Sequence, residues 1–296
     1  MALNLRANIR KLLREAGMFI KSSAIAVTVS ALSLALVHSA EADVLPVTNL
    51  QFNMLTNPFT QQKDFFSTVM PTGWSTGTAG ASGTLTYVGQ QGSEGYTGSP
   101  GNIYPVYTNP GFSVTVPAGT NFFQADGNPE FEDTIFQTIS GLTAGVTYTL
   151  EFQQAAGQQV GYNGDTTEQW KVFLGMGGIG VNCSTNPCTV TGTTDNIEMD
   201  SPLMMNPSDM NTNWNVVNLS FTPTAADLSG GTAVLTFLAW GDSGSTTNLP
   251  PTVFLEGVNT TPVGVPEPAS LTLLGAGLLG LGAVRFRRRA KTDATV

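Results

Sequence analysis

The sequence predicts an all-β body, an antiparallel β-sandwich or jelly roll, on three observations. Period-2 patterns recur: Val146-Thr147-Tyr148-Thr149-Leu150-Glu151-Phe152-Gln153 alternates apolar with polar residues, as a strand buried on one face does. Clusters of Gly, Pro, Asn and Asp, such as Gly141-Leu142-Thr143-Ala144-Gly145, bound these runs as turn signals. The body is also rich in Gly, Thr, Asn and Gln and poor in Lys, Arg and Glu, the charged residues on which exposed helices rely. Many short strands at such spacing argue for two packed antiparallel sheets.

The other strands follow the same reasoning. Trp170, Val172 and Leu174 share one face of a strand, with Gln169 and Lys171 opposite, and Val217, Leu219 and Phe221 make a third. Ala233 to Trp240 is apolar enough to be a central strand covered on both sides, and Val253 to Val258 closes the series. Thr76 to Asn109 is rich in Gly, Ser, Thr and Tyr, yet Leu85, Tyr87 and Val88 predict an edge strand with long loops inside it, so no domain boundary is placed there.

Charge is segregated. Of twelve Lys and Arg, five lie in the first 21 residues and five between Arg285 and Lys291, leaving only Lys63 and Lys171 between them. From Asp43 to Gly264, 17 acidic residues face those two lysines, a formal charge of −15 that repels phosphate backbones and excludes a nucleic-acid partner. The only histidine, His38, precedes this stretch, and the stretch contains no arginine. Without an imidazole there is no Ser-His-Asp or Cys-His mechanism and no His-ligated zinc. A glycosidase needs only two carboxylates, but no pair stands out.

Both ends address a membrane. A basic region, the uncharged apolar run Ala24 to Val37, and Ala40-Glu41-Ala42 form a secretory signal peptide over 1–42, with small residues placed for cleavage after Ala42 by signal peptidase. The exported body is then 43–264 and the tail 265–291. In the tail Pro266-Glu267-Pro268 precedes an apolar, Gly-rich transmembrane helix at about 269–284 and a basic end, 285–291, with Arg287, Arg288 and Arg289. Basic residues beyond an apolar segment stay on the cytoplasmic side and so place the body outside.

The segment Val265 to Arg289 resembles the PEP-CTERM sorting signal. That resemblance implies passage through the Sec machinery and the inner membrane of a Gram-negative bacterium, then processing near Pro266-Glu267-Pro268 by an exosortase-type peptidase. A second resemblance rests on Phe122-Phe123-Gln124-Ala125-Asp126-Gly127-Asn128, Phe136 to Leu150, Thr166 to Val172 and Pro250 to Val258. Together these look like the galactose-binding-like β-sandwich of exported PEP-CTERM proteins, a fold that hosts sugar binding, protein binding and scaffolding alike.

Three groups of residues are candidates for chemistry. Cys183 and Cys188 enclose four turn-forming residues and, outside the cytoplasm, predict a local disulfide closing a hairpin loop. Asp126, Asn128, Glu130, Glu132 and Asp133 offer oxygen ligands around Gly127 that suit a structural Ca²⁺, with a solvated acidic loop as the alternative reading. Trp74, Tyr96, Tyr104, Tyr107 and Tyr162 lie in Gly- and Asn-rich surroundings and are candidate platforms for sugar rings, whose apolar C–H faces stack on aromatics. Trp170, Trp214 and Trp240 fall in strand patterns and are assigned to the core. The expectation is a non-catalytic surface or matrix protein associated with exopolysaccharide; a carbohydrate-binding module and a carboxylate glycosidase are the alternatives.

Overall fold

The computed structural model describes residues 42–77, 85–93, 105–107, 120–184, 187–241 and 250–257. These belong to one unit, Ala42–Pro262. In chain order the strands are β1 (Asp43–Val44), β2 (Lys63–Phe65), β3 (Ser75–Thr76), β4 (Thr86–Gly89), β5 (Phe122–Asp126), β6 (Thr134–Ser140), β7 (Tyr148–Gln158) and β8 (Thr166–Gly175). They continue as β9 (Gly180–Asn182), β10 (Thr189–Thr191), β11 (Asn196–Asp200), β12 (Met204–Asn206), β13 (Asn215–Phe221), β14 (Thr232–Gly241) and β15 (Pro251–Glu256). The signal segment with Ala40, the sorting residues Pro266, Glu267, Pro268, Arg287, Arg288 and Arg289, the transmembrane helix expected at about 269–284, and Tyr96 and Tyr104 lie outside the described residues.

Two sheets pack face to face. One runs β1-β7-β15-β5-β4-β2 with β13 also on β7; the other runs β11-β8-β14-β6-β3 with β12 also on β8. All pairings are antiparallel except β1 with β7. Sequence-distant neighbours, β7 beside β15 and β8 beside β14, mean that the chain crosses between layers, so the body is an antiparallel β-sandwich of jelly-roll type.

Alternation decides which side of each strand is buried. On β7, Tyr148, Leu150, Phe152 and Ala156 face the core; β8 supplies Trp170, Val172 and Leu174; β13 supplies Val217, Leu219 and Phe221; and β14 supplies Ala233, Leu235, Phe237 and Ala239. Leu238, on the opposite face of β14, is also fully buried, as a strand covered on both sides requires. A second cluster of Tyr87, Val106, Phe122, Ala155 and Phe254 lies on the outer face of the β7-containing sheet.

The position of the strand around Leu85 differs from expectation. β4 is not an edge strand: it pairs with β5 on one side and with β2 on the other. The sequence Lys63-Asp64-Phe65 does not announce β2, because its two charged residues are the buried ones and its phenylalanine is exposed. Lys63 is fully buried with its ammonium 5.9 Å from the Phe122 ring centroid, and the Asp64 carboxylate accepts hydrogen bonds from the Thr60 amide and hydroxyl.

Cys183 and Cys188 are joined by a disulfide across the β9–β10 hairpin, which forms a two-stranded sheet of its own. A ring this small constrains the unfolded chain by about 2 kcal/mol at most. Replacing both cysteines by serine is expected to lower the melting temperature by about 8 °C or less. Calorimetry checks this; a larger loss would mean that the hairpin belongs to the cooperative core.

Candidate functional site

A groove of about 320 Å³ opens on the outer face of the β8-containing sheet. Because Ile135 and Ile139 of β6 point into the core, the alternate residues Thr134 and Phe136 point out. Phe136 lies opposite Thr236 of β14, and with Val234 these side chains line the groove. Thr76 and Gly77, where β3 ends, bound one side, Met176 to Ile179 bound another, and Glu132 contributes the one carboxylate among the lining residues.

The segment Met176 to Ile179 connects β8 to β9 and is held from three sides. The Asn196 side chain clamps Gly177: its Oδ1 accepts from the Gly177 amide at 2.9 Å and its Nδ2 donates to the Gly177 carbonyl at 3.1 Å. Gly192 sits so close that a Cβ there would lie 2.0 Å from the Gly178 carbonyl oxygen, so only glycine fits. The carboxylate of Glu132, a residue with left-handed backbone (φ 54°) at the end of the 3₁₀ turn Pro129–Phe131, accepts the Val181 amide at 2.9 Å through Oε1. Met176 is left 49% exposed at the groove. A half-buried ring, a thioether, threonine hydroxyls and one carboxylate suit a ligand with an apolar face and hydroxyl edges.

The same sheet face carries Lys171 on β8. Burial alone would lower its pKa, but its hydrogen bonds to Glu198 (2.8 Å) and Asp200 (3.0 Å), with their negative charges, outweigh that and raise it. The ammonium stands 5.4 Å from the centroid of Trp240, which is half-buried.

The structure gathers some expected site residues and disperses others. Trp74 is not an exposed platform. It is 2% exposed, packs against Phe52 and Phe237, and its indole N–H donates to the Thr48 and Asn49 carbonyls. Its Gly-rich neighbours concealed a core position because the covering segment around Asn49 comes from 25 residues earlier. Tyr107 and Tyr162 come together at the turn after β7, where the Tyr107 hydroxyl accepts from the Gly161 amide at 3.1 Å; both are half-buried and neither lines the groove. Of the tryptophans assigned to the core, Trp170 is there, whereas Trp214 packs on Phe254 outside the main core and Trp240 lies under Lys171. Asp43, the residue after the expected cleavage point at Ala42, is the first of β1.

The five expected calcium ligands do not converge. Asp126 and Asp133 are each 1% exposed and adjoin one another, whereas Glu130 is exposed, Asn128 Oδ1 caps the Glu130 amide, and Glu132 is engaged with Val181. Among the described residues no three His, Cys, Asp or Glu side chains are grouped to hold a metal. The Asp133 carboxylate accepts the amides of Leu85 (2.9 Å) and Asp126 (3.2 Å), tying the start of β6 to the β4–β5 pair. Burial, then the charge of Asp126, push its pKa well up, more than these amides lower it. Burial, then Asp133 and Asp126, likewise raise the Tyr87 hydroxyl.

The groove residues Thr76, Thr134, Phe136, Met176, Val234 and Thr236 carry no motif. The one local signal is Gly175-Met176-Gly177-Gly178, a glycine-rich exit from a strand, where Gly177 and Gly178 have φ of 76° and 73°.

Residues 264–289 match the family model described as the PEP-CTERM protein-sorting motif. The motif indicates export with membrane-associated sorting in Gram-negative bacteria and implies exosortase as the processing partner. No curated protein matches the chain. Among solved structures, the chain is similar to the enzymatically active domain of tailspike protein 4 of bacteriophage CBA120: 11% identity, TM-score 0.33, covering 62% of this chain and 19% of that one. It is similar to the CBM22-1-GH10 modules of xylanase 10B from Clostridium thermocellum, at 12% identity and TM-score 0.29, covering 64% and 26%. It is also similar to a family 11 carbohydrate-binding module from Clostridium thermocellum, at 10% identity and TM-score 0.26, covering 68% and 98%. Scores this low carry no argument about ligand or activity, and the sandwich architecture rests on the strand pairing above.

Proposed function

We propose that the exported body is a non-catalytic cell-surface or matrix protein that holds a polysaccharide chain in the groove on the outer face of its β8-containing sheet. The observation that carries this reading is the groove's lining: Phe136 and Met176 offer apolar contact, and Thr76, Thr134 and Glu132 offer partners to hydroxyls. The sorting motif supports export to the envelope, and exported polysaccharide is the ligand this reading assigns to the groove there. Hydrolysis of a glycosidic bond needs two carboxylates flanking it, about 5–9.5 Å apart. Glu132 is the one carboxylate among the lining residues, which favours holding over cutting.

The test is binding of the full chain, in detergent, to a glycan array and to exopolysaccharide from the producing bacterium. Phe136→Ala is expected to weaken retention about tenfold, the loss of roughly 1.4 kcal/mol. Asn196→Ala, which frees the Gly177 clamp without touching the groove lining, is expected to weaken it less. Retention that both variants leave unchanged would remove the groove from the function, and release of shortened polymer would replace binding with hydrolysis.

A further inference from the structure

We propose that the groove selects glycans carrying protonated amino groups and rejects those bearing carboxylate or sulfate groups; the inference rests on the glycan reading above. Its basis is an inventory of cations. A uronate or sulfated chain needs Arg, Lys or protonated His to pair its charge, and charge-assisted pairs are the strong contacts of such recognition. Between Asp43 and Gly264 there is no arginine, no histidine and only two lysines.

Neither lysine is available to such a ligand. Lys63 is fully buried against the Phe122 ring on the other sheet. Lys171 is held by Glu198 and Asp200 at 2.8 and 3.0 Å, so two carboxylates already surround it. The α-ammonium that cleavage after Ala42 creates would stand at Asp43 in β1, again on the other sheet. A polyanion approaching the groove therefore meets a body of formal charge −15 with no accessible cation to offset the repulsion.

Glu132 gives the selectivity its positive side. It lines the groove, and only its Oε1 is engaged, by the Val181 amide; Oε2 takes no hydrogen bond among the described residues. The Val181 contact fixes the carboxylate, so little rotamer freedom remains to be lost when a ligand ammonium approaches it. The other groove-lining residues are uncharged, so nothing else in the groove repels a cation.

The test compares three oligosaccharides of equal length against the full chain in detergent and chelator: glucosamine, N-acetylglucosamine and galacturonate. The chelator prevents divalent ions from bridging acid to acid. The amine form is expected to bind about tenfold more tightly than the acetylated form, the scale of one charge-assisted hydrogen bond, and any galacturonate held by the basic ends of the full chain is expected to stay bound when Phe136→Ala alters the groove. Glu132→Gln keeps an acceptor for Val181 and is expected to remove the advantage of the amine form over the acetylated one, so that the variant binds the two about equally. Equal binding of amine and acetylated forms by the unaltered chain, or galacturonate bound as tightly as the amine and released by Phe136→Ala, would overturn the selectivity while leaving glycan binding intact. An amine preference that survives Glu132→Gln would also overturn it, by reducing it to diffuse attraction to an acidic surface. Failure of all three oligosaccharides to bind, with none retained on the array, removes the glycan reading itself and this inference with it.

Discussion

Trp170→Ala is expected to cost about 3–5 kcal/mol of stability, because it removes the ring on which the two sheets meet. Trp170 is fully buried, with Phe123 from the facing sheet at 5.8 Å and Phe237 edge-on at 6.0 Å. Its indole N–H crosses the core to donate to the Phe254 carbonyl at 3.0 Å. The substitution thus opens a cavity and removes one hydrogen bond between layers. Trp170→Phe, which keeps most of the ring but loses the donor, should cost less. Urea denaturation with an unchanged m-value would measure both. A midpoint within error of the unaltered protein for Trp170→Ala would mean that the layers are held elsewhere.

Trp170 was legible because its strand alternates: Trp170, Val172 and Leu174 on one face and Gln169 and Lys171 on the other can be laid out in only one way. The same holds for Val217, Leu219 and Phe221. Alternation fails where both faces of a strand are covered. β7 therefore runs past Gln153, where the alternating pattern stops, to Gln158, with Ala155 in the outer cluster and Ala156 in the core. Between them and the alternating stretch stands Gln154, fully buried, accepting from the Ser201 hydroxyl at 2.6 Å and donating to the Pro202 carbonyl at 2.8 Å. A polar side chain satisfied inside the sandwich breaks the apolar pattern, so the periodicity ends before the strand does.

The groove was less legible for a related reason. Phe136, Thr236 and Met176 become neighbours only when β6, β14 and the exit from β8 are assembled, and no local pattern links positions so far apart in the chain. The aromatics singled out by Gly- and Asn-rich surroundings went elsewhere, since local composition reports on turns and not on what later covers them: Trp74 is beneath the segment around Thr48 and Asn49.

The acidic run at Asp126 to Asp133 gives the second large effect, because the fold buries two of its carboxyls together where the sequence suggested solvent or a cation. Burial first, and the Asp126 charge second, raise the Asp133 pKa well above its ordinary 3.8. The folded state therefore keeps a proton that the unfolded chain releases, and stability must fall as pH rises. The contribution is fully present below the unfolded value near 3.8 and is lost as pH climbs through the raised folded value. Asp133→Asn keeps one oxygen, which at the Oδ2 position lies 3.2 Å from both the Leu85 and Asp126 amides and can accept from them, and it carries no charge at any pH. It is expected to melt higher than the unaltered protein at about pH 8 and to converge with it towards about pH 3, where Asp133 is protonated in the folded state and largely so in the unfolded chain. Asp133→Ala leaves the part-buried Leu85 amide without its acceptor, while the Asp126 amide keeps the Leu85 carbonyl at 3.2 Å, and should lose about 1–3 kcal/mol across the whole range. Melting in chelator, so that no divalent ion neutralises the pair, checks all three. Parallel curves for the unaltered protein and Asp133→Asn would show that the buried pair is not linked to protons, and that its charge is balanced in some other way.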